Sequence, residues 1–347
     1  GATTTWVGGV IPTAIDKVTI VDGATVTINV AALAFIVNLE DGLSVLQYEA
    51  TTARSLTVGG DVNIGVDAIF RSAASGTVTT HSLIIGRSLF NNGTIDFSTS
   101  GNAAGARITF NSTNDAVFST VNVSNTDLRS VGGVTVNKSN PTSNFKFVEN
   151  GNAGAFTIEG GTTLGFLTLT QGIFEFAFNN LPVKSFPIFT LPNYTIPATA
   201  TFFMNNTNGI VLGQNGSATL QGTLKISDGI FNVGISPNNI ITGATSKYEI
   251  VGGVLNIASR LVCTGAGTFT MDKGIVNITT LPGGNTVPST GGFDFSAITS
   301  FVDISGGDIY LVQASTAATT PLDFRINSAT FDITGGILHV GTSATAV

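Results

Sequence analysis

Six ten-residue stretches decide the fold: Leu167–Phe176 (LTLTQGIFEF), Leu224–Val233 (LKISDGIFNV), Tyr248–Ile257 (YEIVGGVLNI), Phe269–Ile278 (FTMDKGIVNI), Val302–Leu311 (VDISGGDIYL) and Phe331–Val340 (FDITGGILHV). Apolar residues hold positions 1, 3, 8 and 10 of every copy, and glycine holds position 6. The alternation on either side of the glycine is that of a strand with one buried face. Gly172, Gly229, Gly253, Gly274, Gly307 and Gly336 lie in short polar breaks. They permit a sharp bend with positive φ.

A two-strand unit of this kind could close as an antiparallel hairpin, but the start-to-start spacings of 57, 24, 21, 33 and 29 residues argue otherwise. All but the first cluster near one turn of a β-solenoid, and the first leaves room for a degenerate copy around Phe202–Leu212 (FFMNNTNGIVL). Lateral loops then vary in length while the wall strands keep register. Looser copies fill the first half, at Val18–Ile28 (VTIVDGATVTI), Leu56–Ile64 (LTVGGDVNI), Ser82–Phe97 (SLIIGRSLFNNGTIDF) and Val131–Val136 (VGGVTV). The expected fold is all-β: a right-handed parallel β-helix of about a dozen coils, at roughly 27 residues per coil and about 4.8 Å per rung. It reads as one continuous solenoid over residues 1–347.

Stacking predicts ladders along the core. Phe174, Phe231, Leu255, Val276, Ile309 and Leu338 form one, and Phe176, Val233, Ile257, Ile278, Leu311 and Val340 the next. Many of the 24 phenylalanines belong to such internal stacks. The outward position 9 gives the row Glu175, Asn232, Asn256, Asn277, Tyr310 and His339, read as a solvated polar wall. Two segments depart from the repeat. In the stretch 181–200, Pro182, Pro187, Pro192 and Pro197 recur every five residues, which predicts an excursion from the wall because proline donates no ladder bond. Its aromatics Phe186, Phe189 and Tyr194 have two readings, a contact surface or packing down over the coil. Residues 281–292 (LPGGNTVPSTGG) read as a loop insertion that accounts for the spacing of 33.

Composition excludes several functions. Only 10% of the 347 residues are charged, against about 25% in ordinary soluble domains. With 14 basic and 21 acidic residues and a net charge of −7, there is no basic patch with which to neutralise a phosphate backbone, so no nucleic-acid partner is expected. The mean hydropathy is +0.37, yet the longest apolar run, Val30–Val37, is far shorter than the ~20 residues of a spanning helix, and no membrane insertion is expected. The single cysteine, Cys263, forms no intrachain disulfide and reads as a small core hydrophobe.

Reactive groups are sparse. Glycoside hydrolysis needs two carboxylates about 5–9.5 Å apart. Position 2 places Glu249, Asp303 and Asp332 on similar faces of different coils, with Asp308 in its own repeat, but they alternate with Thr168, Lys225 and Thr270. Neither His81 nor His339 has a second metal ligand at suitable spacing. No cofactor is implied, although calcium could be held by loop carboxylates, asparagines and carbonyls. No catalytic, cofactor-binding or metal-binding residue is assigned. The sequons at Asn111, Asn122, Asn193 and Asn277 are those expected by chance in a chain rich in asparagine and threonine.

The opening Thr3–Ile28 (TTTWVGGVIPTAIDKVTIVDGATVTI) resembles that of repetitive β-solenoid surface proteins. His81–Phe97 (HSLIIGRSLFNNGTIDF) is similar to a coil of the very large adhesins of Bacteroidota, the class exported by the type IX secretion system that includes gliding-motility adhesins; such motifs also occur in phage tail fibres and spikes. The resemblance covers most of the chain. It implies that residues 1–17 cap the first coil through Trp6, Pro12 and Asp16. It further implies a cell-surface location, an outer-membrane translocon or motility machinery as export partner, and adhesion to a surface polysaccharide or abiotic surface. On this reading the chain is the N-terminal stalk part of a longer adhesin and not an enzyme. The alternatives are a polysaccharide-degrading β-helix, a hydrolase or lyase, and after it a phage tail fibre or spike component.

Overall fold

The computed structural model describes residues 6–7, 9–99, 104–120, 126–149, 156–160, 164–178, 186–234, 241–278, 280, 292–312 and 324–340. The chain divides into two compact units, Gly1–Phe174 and Glu175–Val347. Both are parallel β-solenoids, and no helix occurs among the described residues.

In the first unit each coil contributes three short strands. The first wall carries Lys17–Ile20, Ile36–Leu39, Val62–Ile64, Leu89–Asn91, Ala116–Thr120 and Asn144–Glu149, every neighbour parallel. The second carries Thr25–Ile28, Val45–Tyr48, Ile69–Arg71, Thr94–Asp96, Thr126–Leu128 and Thr157–Ile158. The third runs from Ala32–Ala34 through Ser55–Val58, His81–Ile85, Ala106–Phe110 and Val134–Asn137 to the strand beginning at Leu167. Inward positions meet their counterparts directly. Val18, Val37, Val62, Leu89, Phe118 and Phe147 form one continuous buried row, and the rings of Phe118 and Phe147 lie 4.9 Å apart. Burial of such side chains at about 1.5–3 kcal/mol each supplies the driving force that a coil cannot generate alone.

The second unit fuses two of the three walls. Ala200–Leu212, Thr223–Asn232, Lys247–Ile257 and Thr268–Ile278 each run through the template glycine as one bent strand. Phe202 pairs with Leu224 and Val211 with Phe231, so the degenerate copy supplies a true coil. The ladder then continues through Leu255, Val276, Ile309 and Leu338. The remaining wall stacks Tyr194–Ile196, Ala218–Leu220, Ile241–Gly243, Leu261–Cys263, Phe293–Phe295 and Phe324–Ile326. Every one of these pairings is parallel, which disposes of the hairpin alternative.

The proline-rich stretch corrects one expectation. Residues 181–185 lie outside the described residues, but from Phe186 onward the chain is wall rather than excursion: Phe186–Pro187 pairs with Val211–Leu212, and Tyr194–Ile196 with Ala218–Leu220. Strands of two or three residues let a five-residue proline period fall at strand ends and turns. Ladder bonding resumes directly after Pro187, where Ile188 N donates to Leu212 O at 2.9 Å; the carbonyl of Pro192 accepts an inter-coil bond from Gly216 N, and that of Pro197 a turn bond from Ala200 N. Of the 281–292 insertion only Gly292 is among the described residues.

The bend glycines all have positive φ, from 62° at Gly253 to 99° at Gly172. At Gly274, with φ of 90°, two restrictions coincide: a β-carbon would also lie 2.6 Å from the carbonyl oxygen of Gly252 in the coil before. Gly23, φ 73°, has open space at the same point. Gly274→Ala is therefore expected to lower unfolding stability by about 1–3 kcal/mol in chemical denaturation, and Gly23→Ala by clearly less.

Candidate functional site

The described residues carry three groupings of polar side chains, two set by the register of the wall beneath them and one at a corner between coils. On the second unit, position 9 stacks Asn232, Asn256 and Asn277 on successive coils. Asn256 Nδ2 donates to Asn232 Oδ1 at 2.8 Å, and Asn277 Nδ2 donates to Asn256 Oδ1 at 2.8 Å. The row continues to Tyr310 and His339, whose rings stack at 4.0 Å, while His339 Nε2 lies 3.0 Å from Asp308 Oδ1. Beside it runs a second outward row, Ile230, Val254 and Ile275, also half-buried. The stripe formed by these six residues holds no ionisable group. Glu175 departs from the expected solvated wall: it is buried, and its carboxylate accepts from Asn205 Nδ2 at 2.9 Å.

Position 2 of the template aligns Lys225, Glu249, Thr270, Asp303 and Asp332 in one row. Glu249 is held between Lys247 Nζ at 2.5 Å and Lys225 Nζ at 3.5 Å. Burial raises its pKa, but the hydrogen bonds and charges of the two lysines outweigh this and the net shift is downward. Asp303 and Asp332 are direct register partners, one half-buried and one exposed. Asp308 stands on the neighbouring wall with His339, so the structure brings together only Asp303 and Asp332 of the four acids singled out in the sequence.

The third grouping, in the first unit, was not legible in the repeat. Glu159 has φ of 52°, in the left-handed region, and precedes Gly160. Its carboxylate accepts from Thr99 N at 3.0 Å, Thr99 Oγ1 at 2.6 Å and Ser130 N at 3.1 Å, and pairs with Arg129 Nη1 at 3.0 Å. Next to it, Asp127 accepts from Ser98 Oγ at 2.6 Å and Gly160 N at 3.2 Å. These bonds clamp three successive coils at one corner. A fully buried charge, Lys138, fills the bend of its own coil, where a β-carbon on Gly172 would lie 2.5 Å from its Cγ. Burial pulls the Lys138 pKa down, the nearby Asp115 opposing the shift.

The remaining sequence-assigned residues are structural. Phe189 and Tyr194 are buried, with rings stacked at 4.3 Å, and Tyr194 Oη donates to Val233 O, so these two offer no contact surface; the Phe186 side chain lies outside the described residues. Their aromatic bulk fills the coil because the wall continues through the proline-rich stretch. Asp16 accepts from Thr13 Oγ1 and Thr13 N, which lower its pKa, and its carbonyl accepts from Phe35 N at 2.7 Å, tying the leading segment to the first coil. Trp6 and Pro12 lie over the end of that coil and line a hollow there. His81 is buried against Tyr48, ring to ring at 4.6 Å, with Nδ1 accepting from Arg54 N. Among the described residues, no group of three or more His, Cys, Asp or Glu side chains is gathered for a metal.

No family model, curated protein or solved structure matches the chain.

The Glu159 corner makes a prediction about acid stability. Burial raises the Glu159 pKa, but the Thr99 and Ser130 hydrogen bonds and the Arg129 charge more than offset it and hold the carboxyl below its ordinary range. The stabilisation is present at neutral pH and is lost as pH falls through the depressed folded-state pKa. Glu159→Gln should cost about 3 kcal/mol at pH 7 in urea unfolding, and the gap to wild type should close as the pH approaches that value.

Proposed function

We propose that the chain is a structural and adhesive element of the cell exterior, the stalk part of a long surface adhesin carried out by type IX secretion and used in gliding or surface attachment. The observation that carries this reading is the uncharged stripe of Ile230, Val254 and Ile275 beside Asn232, Asn256 and Asn277. Its side chains repeat once per rung, and inter-coil amide bonds fix their positions before anything binds. A regular, rigid array presents the same contact on three successive rungs, which suits an extended polymer or an abiotic surface better than a small substrate. Weak contacts summed along such a row give avidity without any deep pocket.

The stripe also explains how adhesion would tolerate low charge. Flat apolar area and outward amide groups bind neutral polysaccharide through van der Waals contact and hydrogen bonds. An outer-membrane translocon as export partner and a cell-surface location belong to the same reading and rest on the resemblance of the repeats.

The test is retention on insoluble neutral polysaccharides such as cellulose and chitin. Wild type should be retained, and Val254→Lys with Asn256→Lys should lower retention at least fivefold while leaving the circular dichroism spectrum unchanged. Lack of retention on any surface, or equal retention of the variant, would count against it. The register pairing of Asp303 with Asp332 supports the hydrolase alternative. Release of reducing ends by wild type, abolished in Asp303→Ala and Asp332→Ala, would establish that alternative instead.

A further inference from the structure

The first coil is hollow, and its sequence makes it so. On the third wall of the first unit the inward positions read Leu83 and Ile85, then Ile108 and Phe110, in two middle coils, and Leu56 and Val58 in the coil before them. The first coil has Ala32 and Ala34 at those same two positions. The missing bulk leaves a cavity of about 160 Å³, walled by Ala32, Ala34, Val26, Ile28, Val37 and Leu56 and roofed by Trp6. A second hollow of about 380 Å³ shares Trp6 and carries both Asp16 and Lys17 on its wall.

Two features suit this space to a ligand rather than to water. Its walls are mainly aliphatic, with Thr27 and Asn29 as the polar side chains of the lining, and an apolar space of about 150 Å³ accepts guests of about six carbons. Its roof holds a buried polar group without a partner: Trp6 Nε1 is shielded from solvent and has no acceptor among the described residues. An unmade hydrogen bond at a buried donor costs about 1–3 kcal/mol, so a guest that supplies an acceptor at that point gains on two counts. Exposed Ile11, Val30 and Leu33, at 47%, 43% and 48% of full exposure, surround the entrance with further apolar surface.

We propose that the end of the first coil is a binding site for a medium-chain acyl compound. The hydrocarbon tail takes the place of the side chains that Ala32 and Ala34 lack, and a carbonyl or carboxylate oxygen accepts the hydrogen bond from Trp6 Nε1. A carboxylate head would in addition lie toward Lys17 in the second hollow, where the opposing charge, Asp16, is already held by Thr13 N and Oγ1. This inference does not depend on the adhesive reading, which concerns a different face in the other unit.

Trp6 is the single tryptophan of the chain, so its emission reports occupancy directly. Octanoate titrated into the 347-residue chain should shift that emission saturably with one-to-one stoichiometry, and calorimetry should give the same affinity. Ala32→Leu with Ala34→Val installs the residues of the next coil, and should weaken octanoate binding at least tenfold while preserving the β-sheet spectrum. Trp6→Phe keeps the apolar roof and removes the donor; by calorimetry it should weaken binding by about two- to tenfold, the effect of one hydrogen bond. Absence of saturable octanoate binding to wild type would overturn the proposal. So would undiminished affinity in the filled variant or, should that variant not fold, undiminished affinity in Trp6→Phe.

Discussion

In-register parallel stacking is the constraint on which the rest of this structure depends. When successive coils lie about 4.8 Å apart with their positions aligned, each side chain finds its nearest neighbours at the same position one coil before and one coil after. Apolar positions therefore become continuous rows, as from Val18 to Phe147. Like charges in the same arrangement would face each other along the row. The scarcity of charged residues, 10% of the chain, follows from the geometry of the wall. Asparagine is the polar residue that gains from repetition, because one amide can donate to the preceding copy and accept from the following one, as in the ladder of Asn232, Asn256 and Asn277.

Like-charged register partners do occur, as at Asp303 and Asp332, but at several points charge is arranged to break that symmetry. Lys225 precedes Glu249 in its row, so opposite signs meet. Glu159 and Arg129 pair across coils at a corner, with backbone donors completing the carboxylate's shell. Lys138 lies wholly inside, and the absence of a side chain at Gly172 in the next coil leaves room for its stem. The glycine there thus does two things: it adopts φ of 99° for the bend, and it admits a neighbour that any other residue would displace.

The parts of the fold that repeat were legible in the sequence. The period-two alternation and the glycine at position 6 gave the strands, their faces and the register of the second unit, including the weak copy around Phe202. Prolines misled because strand length was not visible: a five-residue period excludes long strands but accommodates the two- and three-residue strands at Phe186–Pro187 and Tyr194–Ile196. The Glu159 corner is hidden in the sequence for a different reason. Its partners come from three coils with no shared spacing, and Glu159 occurs in the sequence as an ordinary acid before a glycine pair. The hollow at Ala32 and Ala34 becomes apparent only once the register names Leu56 and Val58 as their counterparts.

The most direct test of this account is a distance along a single row. Leu33, Thr57, Ile84, Thr109, Thr135 and Thr168 occupy consecutive rungs of one wall in the first unit and point outward. Spin labels at positions 33 and 168 should give a narrow distance distribution by pulsed electron resonance, centred near the roughly 24 Å that five rungs of about 4.8 Å require. A broad distribution, or a centre beyond about twice that value, would contradict in-register stacking of the coils.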